Sequence, residues 1–273
     1  MIDNCNNVNM VEPLVSIIVP AYNCEKTISE TIESVICQSY KNWEMIIVND
    51  CSTDNSTEII ETYVKKDIRI KLYNHEMNSG SAAARNTAIK YASGRFIAML
   101  DSDDLWKKDK LSKQISFMIQ NNYAFTFTSY ETFHDTSDSK RKDFSVPQSI
   151  NYKQYLKNTI IGNLSVIIDI SVIQDFHIVS GNLEDVLTWM YFLNKGYVAY
   201  GLNENLASYR VARESKSGNK FKNAKRYYEC LKQQPITAFD RIIDEFCYLF
   251  NATKKRLFSK SVTYSFDNEG ITK

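Results

Sequence analysis

Residues 14–36 read LVSIIVPAYNCEKTISETIESVI. The apolar run Leu14 to Val19, stopped by Pro20, is what a strand buried on both faces of a sheet requires, and Ile28, Ile32, Val35 and Ile36 then recur at helical spacing. A strand is thus followed by a helix. The cycle repeats with a strand from Glu44 to Val48, a helix from Thr57 to Val64 and a strand from Arg69 to Tyr73. An alanine-rich helix from Ser81 to Ala92, stopped by Gly94, and a strand from Arg95 to Leu100 complete it. Strict alternation predicts an α/β fold with a parallel, doubly wound sheet.

After Leu100 the rhythm changes. A helix around Lys110 to Gln120 and a β-rich stretch from Ala124 to Phe133 lead into HDTSDSKRKD at 134–143, which reads as an exposed loop. The expected organisation is a tail at 1–13, a first half at 14–104, a second half at 105–215 and a helical C-terminal region at 216–273. Between Lys220 and Lys260 ten Lys or Arg stand against four acids, interleaved with Tyr227, Tyr228, Phe246, Tyr248 and Phe250. Such a segment suits an amphipathic element on an anionic membrane surface, and equally a solvated helical tail packing its aromatics on the domain.

Composition sets the outer bounds. With 44% apolar residues in 273, the chain can bury a full core, and 33 Lys plus Arg against 32 Asp plus Glu leave no bulk charge to attract nucleic acid. The six cysteines are scattered with no CxxC pair, which predicts buried, reduced thiols in a cytosolic protein. The start, MIDNCNNVNMVEP, has neither a basic nor an apolar run, so no cleavable signal is expected.

In open parallel sheets ligands bind beyond the carboxyl ends of the strands. There the chain carries Pro20-Ala21-Tyr22-Asn23, Asn49-Asp50-Cys51-Ser52 and Asp101-Ser102-Asp103-Asp104. Asp101 and Asp103 suit a hard divalent cation carrying a diphosphate, while Asp103 and Asp104 equally suit the cap of a following helix. Asp50 suits either a turn or a base N–H. Glu184-Asp185 suit either the acidic first turn of a helix or a general base beside it. The turn Asn78-Ser79-Gly80 precedes a helix without GxxxxGK[ST], which excludes a P-loop, although its N–H groups can face a phosphate.

VSIIVPAYN at 15–23, IIVNDCSTDNS at 46–56, NSGSAAARNTAIKYASGRFIAMLDSDD at 78–104 and NLEDVLTWMYFLNKG at 182–196 stand in one order. Together they closely resemble family 2 inverting glycosyltransferases of the GT-A fold, over about residues 14–213. The resemblance implies a Rossmann-like, mostly parallel sheet flanked by helices. It implies a nucleotide-sugar pocket at Pro20, Ala21, Tyr22, Asn23, Asp50, Ser52, Ser79 and Gly80, with Asp50 on uracil. Asp101, Ser102, Asp103 and Asp104 form the DxD region, where Asp103 and Asp101 hold Mn²⁺ or Mg²⁺. Asp185 is the implied catalytic base with Glu184 beside it, and Arg85 points toward the diphosphate.

Two departures matter. Leu187 replaces a second acid before Trp189, leaving Trp189 as the acceptor contact, and Ala212 stands where a His is common, which shifts diphosphate contacts to Arg210 or Arg213. The DSDD tetrad and the chain length resemble bacterial enzymes of O-antigen and lipopolysaccharide assembly. Those move glucose or galactose from a UDP-sugar onto a lipid-linked N-acetylhexosamine diphosphate, as peripheral proteins at the inner face of the cytoplasmic membrane. A homodimer stays open. The alternatives are a non-catalytic nucleotide-sugar-binding scaffold and a sugar nucleotidyltransferase, the latter disfavoured because no Gly-rich, Lys-bearing triphosphate loop follows the first strand.

Overall fold

The computed structural model of the protein describes residues 12–134, 141–211, 220–258 and 261–262. Its strands are β1 (Val15–Ala21), β2 (Trp43–Asn49), β3 (Ile70–Asn74), β4 (Phe96–Met99), β5 (Leu105–Trp106), β6 (Phe125–Phe133), β7 (Arg141–Phe144), β8 (Ser149–Ile150), β9 (Ile167–Asp169), β10 (Ala199–Arg210) and β11 (Ser261–Val262). The helices are α1 (Ile28–Ile36), α2 (Ser56–Val64), α3 (Ser81–Lys90), α4 (Lys110–Asn121), α5 (Tyr152–Lys157), α6 (Glu184–Asn194), α7 (Lys220–Lys232) and α8 (Ala238–Phe258), with a 3-10 turn at Asn163–Ser165.

Strands β3-β2-β1-β4 lie side by side and parallel, as the alternation predicts. Every residue of β1 and β2 is buried, the signature of strands covered on both faces. Pro20 lies past the end of the β1–β4 pairing, so its missing N–H breaks no ladder bond. Helix α1 buries Ile28, Ile32 and Val35, and α3 lays Ala82, Ala84 and Ala88 against β1 and β2, where small side chains allow close approach.

At the N-terminal ends of these strands Glu44 accepts from Ser16 Oγ, Lys71 Nζ, and Ser93 N and Oγ at 2.6–2.7 Å. Burial opposes its charge, but these donors prevail and hold its carboxyl at about 2. Gly94 closes the network: a Cβ there would sit 2.6 Å from the Leu14 carbonyl oxygen and 2.8 Å from Ser16 N.

The parallel order ends at β4, where the sequence rhythm also changes. There β9 runs antiparallel to β4 and β6, and β7 runs antiparallel to β6, although β10 is parallel to β6. Parallel neighbours need a crossover of a dozen or more residues, and the β6–β7 link at 134–140 is too short for one. Within the expected loop 134–143, Arg141–Phe144 form β7; 135–140 lie outside the described residues.

The C-terminal helices are joined to the core. Tyr227, Cys230 and Leu231 of α7 are buried in one cluster with Phe125 and Trp189. The expected burial of the thiols holds for Cys24 and Cys230; Cys51 and Cys247 are half-buried and Cys37 is exposed, while Cys5 lies outside the described residues. Among the described residues no helix is long and apolar enough to cross a membrane.

Candidate active site

Because β1, β2 and β4 are parallel neighbours, the loops that follow them share one rim. The first two loops are tied together. Asn23 N donates to Ser52 Oγ at 3.0 Å, and Thr53 N donates to Asn23 Oδ1 at 2.8 Å. Asn23 and Cys51 adopt positive φ, 48° and 62°, which turns the chain sharply off each strand. Pro20 and Ala21 are buried within β1 and shape the rim from beneath, whereas Tyr22 stands 52% exposed upon it.

Asp50 is enclosed. Its Oδ1 accepts from Ser79 N and His75 Nδ1, both at 2.8 Å, and its Oδ2 accepts from Gly80 N at 2.7 Å. Burial opposes the charge, yet these donors hold the carboxyl below its usual range. Asp50 thus fixes the turn ahead of α3, where Gly80 takes φ 85°, and keeps one acceptor position on Oδ2.

The acidic stretch after β4 divides by role. Asp104 is wholly buried, its Oδ1 accepting from Arg210 N at 2.9 Å and its Oδ2 meeting no partner, so it braces β10 instead of facing the cleft. The Ser102 carbonyl accepts from Thr27 and Thr31, pinning the loop to α1. Asp101 Oδ1 accepts from Arg85 at 2.5 Å and from Asn163 Nδ2 at 3.0 Å. Asp103 takes no hydrogen bond from another side chain among the described residues. Burial and the neighbouring Asp101 push its carboxyl up to about 6.

Arg85 is the piece that sequence reasoning placed only in outline. Buried on α3 among alanines, it reaches Asp101 with one terminal nitrogen and Glu184 with the other. Burial opposes its charge, but Asp101, Glu184 and Asp185 prevail and push its pKa up. Glu184 also accepts from Ser81 Oγ. Each acidic pair therefore has one member held by Arg85, Asp101 in the first and Glu184 in the second. In each pair the other member, Asp103 or Asp185, faces the cleft without a side-chain donor among the described residues.

The cleft holds about 690 Å³ and is lined by Arg85, Asp101, Asp103, Glu184 and Asp185 on one side and by Asn223, Arg226 and Tyr248 of α7 and α8 on another. Asp185 opens α6, and burial pushes its carboxyl up. A side pocket of about 290 Å³ shares Asp101, Asn163, Asp185 and Tyr209 with the cleft and extends toward Tyr130 and Gly162. Burial, with Asp104, Asp101 and Asp103 nearby, pushes the Tyr209 hydroxyl up and keeps it a donor.

Two sequence expectations change. Trp189 is fully buried, 5.3 Å from Phe125 and 6.4 Å from Phe176 between ring centroids, so it is a core residue and offers no surface to an acceptor. Arg210 lines the cleft, but its Nε donates to the Asp103 carbonyl at 2.8 Å and its guanidinium pairs with Glu30 at 2.5 Å, so it clamps the acidic loop. Arg213 and Ala212 lie outside the described residues. Asn163, Asn223, Arg226 and Tyr248 emerge as cleft residues from tertiary structure alone.

The model of the Glycosyl transferase family 2 matches residues 16–179. The chain is 45% identical over 250 residues to the putative teichuronic acid biosynthesis glycosyltransferase TuaG of Bacillus subtilis (strain 168), covering 90% of this chain and 98% of the relative. It is 40% identical over 250 residues to the UDP-Glc:alpha-D-GlcNAc-diphosphoundecaprenol beta-1,3-glucosyltransferase WfgD of Escherichia coli, covering 91% and 97%. Among solved structures, S. aureus TarS 1–349 with UDP-GlcNAc superposes with a TM-score of 0.64 at 20% identity, covering 91% of this chain and 74% of that one. The mannosyltransferase PcManGT of Pyrobaculum calidifontis, with GDP-Man and Mn²⁺, superposes with a TM-score of 0.65 at 15% identity, covering 91% and 71%. The chain belongs to glycosyl transferase family 2 and has the GT-A fold.

Proposed function

We propose that this family 2 glycosyltransferase moves a hexose, glucose or galactose favoured, from a UDP-sugar to a lipid-linked N-acetylhexosamine diphosphate, forming a β-linkage in bacterial surface-polysaccharide assembly. The observation that carries the reading is the pairing in the cleft. Arg85 engages Asp101 and Glu184 and leaves Asp103 and Asp185 directed at the space between. The UDP-Glc:alpha-D-GlcNAc-diphosphoundecaprenol glucosyltransferase activity for which the WfgD relative is named supports the donor and acceptor classes.

Asp103, with Asp101 beside it, suits Mn²⁺ or Mg²⁺. The set is all oxygen, Asp103 has no competing side-chain donor among the described residues, and Asp101 has Oδ1 engaged by Arg85 and Asn163. Among the described residues no three acids, histidines or cysteines gather to cage a metal. Asp103 and Asp101 would hold the ion together with the donor's phosphate oxygens. When bound, the cation offsets the negative charge growing on the departing diphosphate.

In this mechanism Asp185 accepts the proton of the acceptor hydroxyl. The hydroxyl oxygen attacks the anomeric carbon, the bond from that carbon to the diphosphate oxygen breaks, and UDP leaves with the bonding pair. Tyr22, Asn23 and Ser52 line the nucleoside end, with Asp50 holding Ser79 and Gly80 and offering its remaining Oδ2 position to a base N–H. Arg226, which lines the same cleft, serves the acceptor diphosphate. The protein works at the inner face of the cytoplasmic membrane, where its acceptor resides.

The test is donor hydrolysis and transfer with purified protein, Mn²⁺ and a panel of uridine, guanosine and thymidine diphosphate sugars, with and without a GlcNAc-diphosphate-lipid acceptor. Metal-dependent release of UDP from one sugar, stimulated by the acceptor, is expected. Tight nucleotide binding with no turnover on any combination would favour a non-catalytic scaffold.

A further inference from the structure

Helix α8 is built inside out. Its inward side carries Arg241, Asp244, Tyr248 and Asn251, and Asp244 is only 6% exposed. Asn251 donates to the Lys157 carbonyl on α5 at 3.0 Å, and Tyr248 stacks on Tyr227 of α7 at 3.9 Å between centroids. Burial pushes the Asp244 carboxyl up, and the Arg241 Nε is buried without a partner. Its outward side carries Phe239, Ile242, Ile243, Phe246 and Phe250, and the three phenylalanines are 72%, 71% and 63% exposed. At about 100° per residue these five lie within an arc of roughly 100°.

A helix placed by water alone turns its apolar face inward, whereas α8 leaves these five large apolar side chains outward and buries Asp244. An apolar patch of this kind marks a surface meant to be covered. Charge indicates what covers it. Between 220 and 260 the sequence carries ten basic residues against four acidic ones, and one of those acids, Asp244, faces inward. Five of the bases and one acid lie on α7, and four bases and three acids on α8, so the helix pair is basic. Such a pair, with aromatic and aliphatic side chains on one face of α8 and no capacity to span a bilayer, fits the interface of an anionic membrane. The geometry of the cleft agrees, because Tyr248, on the inward face of the same helix, lines the cleft together with Asn223 and Arg226 of α7.

We propose that the Phe239, Ile242, Ile243, Phe246 and Phe250 face of α8 inserts into the headgroup region of an anionic phospholipid membrane and so sets the edge of the catalytic cleft at the lipid surface. The docking surface stands on its own geometry; only its use, presenting a lipid-linked acceptor, rests on the proposed function.

Full-length protein is floated with vesicles of phosphatidylglycerol and phosphatidylethanolamine and with vesicles of phosphatidylcholine alone. The wild type floats with the anionic vesicles, and Phe246→Ser/Phe250→Ser loses roughly tenfold or more of that partitioning. The double variant keeps the wild-type melting transition, UDP binding and transfer to a short, water-soluble acceptor, because both side chains are exposed. Equal flotation of the variant, or no flotation of the wild type, overturns the proposal. A wild-type dimer without lipid that the variant converts to monomer, with no flotation, also overturns it and assigns the face to a second copy of the chain. Flotation without transfer on any acceptor would sink the proposed function and leave the docking surface standing, and transfer without flotation would do the opposite.

Discussion

Strands β1–β4 are parallel, apolar along most of their length and tied at their N-terminal ends through Glu44, whereas β6, β9 and β10 run in both directions and bury Thr126, Thr128, Glu131 and Ser208. The first half presents Asp101 and Asp103 on a loop anchored by a buried strand and by α1. The second half presents Glu184 and Asp185 at the start of a helix that follows an irregular stretch. Arg85 pairs with both of these acidic pairs, through Asp101 and Glu184. The lesson is that the proposed chemistry sits on a seam: β9 joins the halves through the sheet, Asn163 and Arg210 reach across from the second half, and one guanidinium is shared by both carboxylate pairs.

Four changes probe that division, and the largest effect belongs to the first half. Asp103→Asn removes the carboxylate best placed for the cation and should lower kcat/KM by on the order of a thousandfold, with no response to added Mn²⁺. A variant that keeps its metal response would move the ligand role elsewhere.

The seam itself comes next. Arg85→Met frees Asp101 and Glu184 and should lower kcat/KM about a hundredfold by misplacing both pairs. It also removes a positive charge that favours the ionised form of Asp185. As the proposed base Asp185 acts deprotonated, so activity should fall as pH falls through its pKa, which burial already raises above the ordinary carboxylate value. The acid limb of the pH–rate profile should therefore move to higher pH in Arg85→Met. An unmoved limb would show that Arg85 does not act on Asp185.

Two smaller effects compare how the halves are packed. Gly94→Ala drives a Cβ against the Leu14 carbonyl and Ser16 N in the first half, and should cost about 2 kcal/mol in chemical denaturation. In the second half Lys110 is fully buried, its Nζ 2.5 Å from Gln114 Oε1 and 4.8 Å from the Trp106 ring centroid, and burial pushes its pKa down to about 7. Between that value and the ordinary lysine value of about 10.4 the unfolded chain binds the extra proton, so the folded state gains stability as pH rises. The melting temperature of the wild type relative to Lys110→Met should climb by roughly 6–12 °C from pH 7 to pH 9.5, the equivalent of about 3 kcal/mol. A constant difference would mean that Lys110 is not neutralised by folding.

The same division explains what the sequence reveals. Leu14–Val19 and Glu44–Val48 are legible as strands because burial on both faces demands apolar runs, and the residues that end them fall on the rim by topology. The direction of β9 is not legible, since three residues carry no period and their partners β4 and β6 are distant in sequence. Trp189 misleads because a large aromatic on α6 looks the same from sequence whether it faces an acceptor or, as here, Phe125 and Phe176. Asp104 misleads for a related reason: its carboxylate serves the backbone of Arg210, more than a hundred residues away. Arg226 and Tyr248 are invisible until α7 and α8 close over the cleft.

The central claim is that Asp185 removes the proton while the first half binds donor and cation. The measurement that tests it most directly is a comparison of the wild type and Asp185→Asn by calorimetric titration of UDP-sugar in Mn²⁺ and by transfer to the lipid-linked acceptor. The account predicts donor affinity within about twofold of the wild type and a kcat lower by a hundred- to ten-thousandfold, the usual range for a lost general base. Loss of donor binding together with turnover, or turnover preserved, would contradict it.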